Sequence, residues 1–277
     1  MLKLICRDIS YLLLEIKHES EKKKMKLGAQ FYSVRTETTT PEALLETMRK
    51  IKAIGYDVMQ ASGICKIEGA QLKSFIDETG LPITCTHRPF DEIVTETKDC
   101  IAFHNAIECP VIGLGAMAEK YRTSYEGLKE FKKLMAEPVK MIRDAGLRFA
   151  YHNHAFDFAI ADGVKVYDFL LEEMPDIDFI LDVYWVHYAQ EDYVKYIKLL
   201  GESKRMTDIH FKDMKTEPKG PICPCGDGVI DFAPLVPLCD SYGIKNAHVE
   251  QDNAPDLGDV FLQMESSFKH LKPMFGV

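Results

Sequence analysis

Two histidines one residue apart, in the stretch "FAYHNHAFDF" (149–158), are the first side chains with chemistry to offer. The run opens like a buried strand and ends on His152 and His154, and the two-residue period of a strand puts both imidazoles on one face. Three further residues stand at the ends of later β-type runs: Asp182 in "FILDVYW", His210 in "TDIHFKD" and Glu250 in "NAHVEQD". Together His152, Asp182, His210 and Glu250 form a donor set suited to a borderline divalent ion such as Mn²⁺, Zn²⁺, Co²⁺ or Fe²⁺. Singly, each has a plainer reading, because a strand-end His is often a hydrogen-bonded structural residue and an Asp after a strand is often a helix cap. As a group they resist it, since buried carboxylates without a cation are costly.

Such a group needs a scaffold that brings distant strand ends together. Eight short β-type runs follow one another: "KLGAQFYS", "YDVMQAS", "PITCTH", "CPVIGLG", "LRFAYHNH", "DFILDVYW", "RMTDIHF" and "NAHVEQD". Longer stretches of helical period separate them, as in "PEALLETMRKIKAIG", where Leu44, Leu45, Met48, Ile51 and Ile54 recur at spacings of three and four. Pro41 sits at the expected first turn of that helix and Gly55 just past its end. "SYEGLKEFKKLMAEPVKMIRDAG" repeats the pattern with Pro138 as the expected kink, and "DLGDVFLQMESSFKHLK" makes a closing helix. Strands alternating with helices predict a parallel sheet. Eight units in this length predict a closed (β/α)₈ TIM barrel, a fold of about 250 residues, rather than an open doubly wound sheet. No Gly-x-Gly-x-x-Gly turn follows the first strand, and "GLGAMAEKY" after the fourth is only a weak glycine turn. In a (β/α)₈ barrel the site lies at the C-terminal ends of the strands, where the His, Asp, His and Glu of strands five to eight all fall.

Composition narrows the partners. The 277 residues are 46% hydrophobic, enough for a large core, and carry a net charge of −9, with 34 Lys+Arg against 43 Asp+Glu. Broad nucleic-acid binding needs clustered positive charge, so none is expected. Eight scattered cysteines read as reduced, cytoplasmic usage rather than a disulfide framework. Cys223 and Cys225 in "CPCGDG" make a poor zinc signal and read as loop residues, with the "GDG" turn and Asp231 ordering that loop. The opening "MLKLICRDISYLLLEIKHESEKKK" is interrupted by Asp8 and Glu15 and is too short to span a bilayer, so no membrane attachment is expected. Residues 1–24 read as an extension or a misassigned start, and 25–277 as a single barrel domain headed by Met25. The competing reading is an amphipathic helix packed on the barrel.

The segments "GAQFYSVR", "YHNHAFDF", "LDVYWV", "HFKD", "GDGVIDF" and "HVEQD" resemble the sugar phosphate isomerase/epimerase family of xylose isomerase-like barrels, and in particular its "YHNH" type members. The resemblance covers Met25 to the C-terminus. It implies one divalent ion per chain, Mn²⁺ first, with Zn²⁺, Co²⁺, Fe²⁺ or Mg²⁺ as alternatives. Many relatives hold it with Glu, Asp, His and Glu; here His152 stands for the first Glu, while Asp182, His210 and Glu250 match. The resemblance also implies His87, in "CTHRPFDEI", near substrate; its plain alternative is a capping or core His. Among neighbouring residues, Trp185 offers a face for a sugar, Lys212 a donor for a substrate hydroxyl or a developing enolate, and Arg35 a contact for an anionic group. His154 and Asp157 suggest a pair that orients a ligand or base.

The expected chemistry is enolisation. An ion chelated by a carbonyl and its neighbouring hydroxyl stabilises the enediolate left when Glu250 or a nearby His removes the α proton. Return of that proton gives isomerisation or epimerisation of a keto sugar, keto-glycoside or inosose; loss of a β-hydroxyl gives a lyase or dehydratase. Loss of the first Glu weakens the symmetric epimerase case. An endonuclease IV-like phosphodiesterase would need more ligands and a basic surface, and a silent sugar-binding barrel is compatible with the same fold. A homo-oligomer is compatible with the sequence. A chain starting at Met25 is expected to melt within about 3 °C of the full chain, a shift worth roughly 1 kcal/mol at this size. A larger fall in a thermal melt would show that residues 1–24 pack on the barrel.

Overall fold

The computed structural model describes residues 24–276, so the expected N-terminal extension lies outside the described residues except for Lys24. Eight strands close a parallel barrel in sequential order: β1 (Lys26–Gln30), β2 (Val58–Ala61), β3 (Ile83–His87), β4 (Val111–Leu114), β5 (Arg148–His152), β6 (Asp178–Asp182), β7 (Met206–Phe211) and β8 (Asn246–Val249), with β8 pairing back onto β1. One principal helix follows each strand: α1 (Pro41–Ile54), α2 (Gly69–Thr79), α3 (Thr97–Ala106), α4 (Tyr125–Asp144), α5 (Val166–Glu173), α6 (Tyr193–Glu202), α7 (Leu235–Ser241) and α8 (Val260–Phe275). The fold is the (β/α)₈ TIM barrel that the alternation predicts.

Local chemistry explains the element ends. In α1, Thr40 Oγ1 accepts from Ala43 N (3.2 Å), Pro41 opens the first turn, and Gly55 closes the helix at φ 122°. Leu44, Met48 and Ile51 form the buried face. α4 is one element through Pro138. Two strands stop earlier than the hydrophobic runs imply. Gln30 caps a 3₁₀ turn, Phe31–Glu37, by accepting from Tyr32 N (2.7 Å), and Asp182 caps the helix Val183–Tyr188 by accepting from Trp185 N (3.1 Å). "FYS" and "VYW" are therefore helical rather than extended.

The apolar core lies mainly between strands and helices. A smaller plug, Cys85, Val111, Ala150 and Ile180, fills the barrel interior; by the two-residue alternation these positions share the inward face with His87, His152 and Asp182. All cysteines among the described residues are unpaired thiols, and no helix there is long and apolar enough to cross a membrane. Gly28 of β1 pairs in register with His248 of β8, and a Cβ at Gly28 would lie 2.5 Å from His248 Cδ2 and 2.8 Å from Val58 Cγ2. Gly28→Ala is accordingly expected to lower stability by about 1–3 kcal/mol in urea unfolding, the usual cost of overpacking.

Candidate metal centre

Barrel closure delivers four ligand-type side chains to one point. His152 ends β5, Asp182 ends β6, His210 lies on β7 paired in register with Asp182, and Glu250 follows β8 with its N–H donated to Phe211 O (3.0 Å). One ligand atom from each lies within 4.8 Å of the others, and all four residues are buried. His152 Nε2 is 3.4 Å from Asp182 Oδ2 and 3.9 Å from Glu250 Oε2, and His210 Nδ1 is 2.9 Å from Glu250 Oε2 and 3.9 Å from Asp182 Oδ2. Ligands about 2.1 Å from a shared ion stand roughly 3–4 Å apart.

The surroundings assign the protons. His152 Nδ1 donates to the Gly115 carbonyl (3.0 Å), an acceptor only, so Nε2 turns its lone pair toward the carboxylates. With Gln60 Oε1 accepting from His210 Nε2 (2.6 Å), Nδ1 likewise presents a lone pair. Tyr32 N fixes the Gln30 amide through Oε1, so Gln30 Nε2 donates to Glu250 Oε1 (2.9 Å) and leaves Oε2 for the cluster. Asn153 Oδ1 accepts from Asp182 N (2.9 Å), and its Nδ2 donates to Asp182 O (3.2 Å). His152 Nε2 and Asp182 Oδ2 are buried without a hydrogen-bond partner. Two lone pairs and two buried carboxylate oxygens converge there, and this N₂O₂ group could hold a metal ion. Burial works against a proton on His152, yet Asp182 and Glu250 outweigh it and raise the imidazole's pKa.

Lys212 stands beside the four. Its side chain is 1% exposed, with Nζ 3.0 Å from Asp182 Oδ2, 2.9 Å from Glu250 Oε2 and 3.3 Å from Asp252 Oδ2; the contact with Asp182 is an ion pair without hydrogen-bond geometry. Burial opposes its charge, but the three carboxylates hold its pKa well above the usual lysine range. Burial equally opposes ionisation of Glu250, which Lys212 and His210 hold well below the usual carboxylate range. With neutral imidazoles, three carboxylates against one ammonium leave two negative charges, the charge of one divalent ion. Sequence reasoning offers Lys212 to a substrate hydroxyl or a developing enolate; it lines the cavity, and its ammonium is also engaged by carboxylates.

A cavity of about 520 Å³ opens above the cluster, lined among others by Arg35, His87, His152, His154, Lys212, Glu250 and Asp252. His87 Nε2, His154 Nδ1 and Asp252 Oδ1 are buried and unpartnered. The rings of His87 and His154 flank that of His152, at centroid distances of 5.0 and 4.8 Å. Burial, then the charge of His152, pushes the His154 pKa down to about 3, and burial pushes His87 well below its usual value. Arg35 Nη1 donates to Tyr32 O (2.8 Å) and Asp252 O (2.9 Å) at the mouth. Trp185 is not among the lining residues; it packs beside His154 (5.3 Å between rings) and over Lys212 Nζ (5.1 Å). Asp157 does not hold the His154 imidazole. It accepts from His154 N (2.7 Å) and Tyr151 Oη (2.7 Å), and burial lifts its pKa to about 7. Asp213 holds the cysteine-bearing loop through the "GDG" turn, accepting from Gly226 N, Gly228 N and Ile230 N, and Asp231 accepts from Ala233 N just before α7. Gln30, Gln60 and Asp252 escaped sequence reasoning, and their one signal is a polar side chain at or just past the end of a buried strand.

The family profile described as xylose isomerase-like TIM barrel matches residues 48–269. An inosose dehydratase of Erwinia tasmaniensis is 25% identical over 156 residues, covering 49% of this chain and 50% of that protein, so the chain spans about half the length of this curated relative. A sugar phosphate isomerase/epimerase from Parabacteroides distasonis superimposes with TM-score 0.73 at 20% identity, covering 91% of this chain and 95% of that one. The IolI protein with a bound zinc superimposes with TM-score 0.68 at 13% identity, covering 91% and 98%. Purified protein is expected to hold about one divalent ion per chain by elemental analysis, as one four-ligand group implies, and His210→Ala to lose most of it. About three zinc ions per chain would instead indicate a multinuclear centre.

Proposed function

We propose, on the premise that the chain belongs to the xylose isomerase-like TIM-barrel family, that it is a divalent-metal-dependent enzyme of the sugar isomerase/epimerase type. Its substrate would be a keto sugar, keto-glycoside or inosose. The observation that carries this reading is the convergence of the His152 and His210 lone pairs with Asp182 Oδ2 and Glu250 Oε2 beneath a cavity whose unpartnered groups include both donors and acceptors. His152, Asp182, His210 and Glu250 would hold the ion, Mn²⁺ first. When bound, it would act as a Lewis acid toward a carbonyl and its neighbouring hydroxyl.

The chain's own residues then divide the proton work. Glu250 is a poor base here, because Oε1 is held by Gln30 and Oε2 faces the ligand cluster beside Lys212. His87 and His154 suit the role better: both line the cavity, both have a free ring nitrogen, and burial keeps both neutral at pH 7. A base as weak as His154 can take only a proton already acidified by the adjacent carbonyl, which confines exchange to the α carbon. Whichever of the two takes the proton becomes an imidazolium, which can return that proton to carbon or give it to a leaving hydroxyl. The inosose dehydratase relative favours the second outcome, a lyase on the same scaffold.

Metal-loaded protein is expected to exchange the α hydrogen of a bound keto sugar or inosose with solvent deuterium, read by NMR, and to stop on chelation. His154→Asn should slow exchange by roughly 10²–10⁴ while keeping its metal. Glu250→Gln should lose metal and exchange together. A ligand shown by calorimetry to bind the loaded site, yet undergoing neither exchange nor turnover, would leave a silent sugar-binding barrel as the better account.

A further inference from the structure

From the contacts of its ammonium, we infer that Lys212 is a built-in counter-ion that holds the ligand carboxylates in place without metal and, by the same charge, weakens the binding of the divalent ion. This rests on the metal-centre reading above. The oxygens that Lys212 Nζ approaches, Asp182 Oδ2 at 3.0 Å and Glu250 Oε2 at 2.9 Å, are the atoms that those residues offer to the cluster. Asp252 Oδ2 accepts a hydrogen bond from Nζ at 3.3 Å, so the ammonium has three carboxylates around it. The rings of Trp185 and Tyr184 lie near it, at 5.1 and 5.9 Å from ring centroid to Nζ.

The charge count gives the sign. With Lys212 the buried group carries two negative charges toward an incoming ion; without it, three. A fixed positive charge this close to two ligand oxygens opposes a second cation on them, and the opposition is strong where water is excluded. The same ammonium keeps Asp182 and Glu250 from repelling each other in the metal-free protein, so the ligands stay assembled at the cost of affinity.

Trp185, the single tryptophan of the chain, stands next to the cluster and serves as the reporter. Its fluorescence is followed during titration of metal-free protein with Mn²⁺ or Co²⁺, with binding checked by equilibrium dialysis. Lys212→Met is expected to bind Mn²⁺ at least roughly tenfold more tightly, about one decade in Kd, and Lys212→Arg to stay near wild type. Metal-free Lys212→Met should melt below wild type, and saturating Mn²⁺ should close the gap. Equal or weaker Mn²⁺ binding by Lys212→Met would overturn the inference while the metal centre stands. Absence of any divalent binding by the wild type would remove the metal centre and this role with it. Should Lys212→Met not fold, Asp252→Asn tests the same charge count in the opposite direction. It should weaken Mn²⁺ binding, and unchanged affinity would refute the counter-ion role.

Discussion

Asp182 and Glu250 cannot be buried together at the mouth of a barrel unless something positive joins them. Two carboxylates with oxygens facing the same point, closed off by imidazole rings and the plug of Cys85, Val111, Ala150 and Ile180, would otherwise shed charge by taking up protons. Much of the polar structure at this end of the barrel answers that demand. Lys212 supplies one charge, and Gln30 and Gln60 supply oriented amide contacts. The backbone carbonyl of Gly115 turns His152 so that its remaining nitrogen is a donor to a cation rather than a competing hydrogen-bond donor.

Fold and site share these residues. Gln30 ends β1 by capping the next turn with one amide atom and fixes Glu250 with the other. Asp182 ends β6 by capping the following helix through Oδ1 and turns Oδ2 toward the cluster. Asn153 bridges the ends of β5 and β6 through both atoms of its amide. A strand that overran by one residue would move its ligand to the wrong face, so the caps that stop the strands also set the ligand geometry. This is why polar residues at strand ends, unremarkable as turn signals, act as constraints on the centre.

The same coupling explains what the sequence displays and what it hides. The eight strands and the four converging ligand-type residues are legible because hydrophobic period and strand-end position are local properties. Gln30 and Gln60 are not, since their partners lie 220 and 150 residues away and become neighbours only when the barrel closes. Lys212 is half legible for a related reason. In "HFKD" it reads as a solvated or substrate-facing lysine, and only the arrival of Asp252 and Trp185 from beyond the ends of β8 and β6 encloses it. Glu250 was legible as a ligand-type residue but not as a constrained one, because Gln30 and Lys212 come from outside its own segment. The ends of "FYS" and "VYW" were misread because side-chain capping outweighs β propensity there.

His152 in place of the glutamate that the family resemblance implies then has a consequence for the chemistry. With a glutamate there, the buried group would carry three negative charges beside Lys212, and a divalent ion would leave one uncompensated. With His152 the ion would bring the group to neutrality, so an oxygen gaining negative charge in the cavity would meet no residual repulsion from beneath. The exchange also removes a carboxylate that could carry a proton, at the position flanked by the rings of His87 and His154. Those two imidazoles, kept neutral by burial, each keep a free ring nitrogen at the cavity. On the proposed reading, a single replacement on β5 would thus shift both the charge balance of the centre and the proton-transfer role toward histidine, beside the backbone contacts that Asn153 and Gly115 provide.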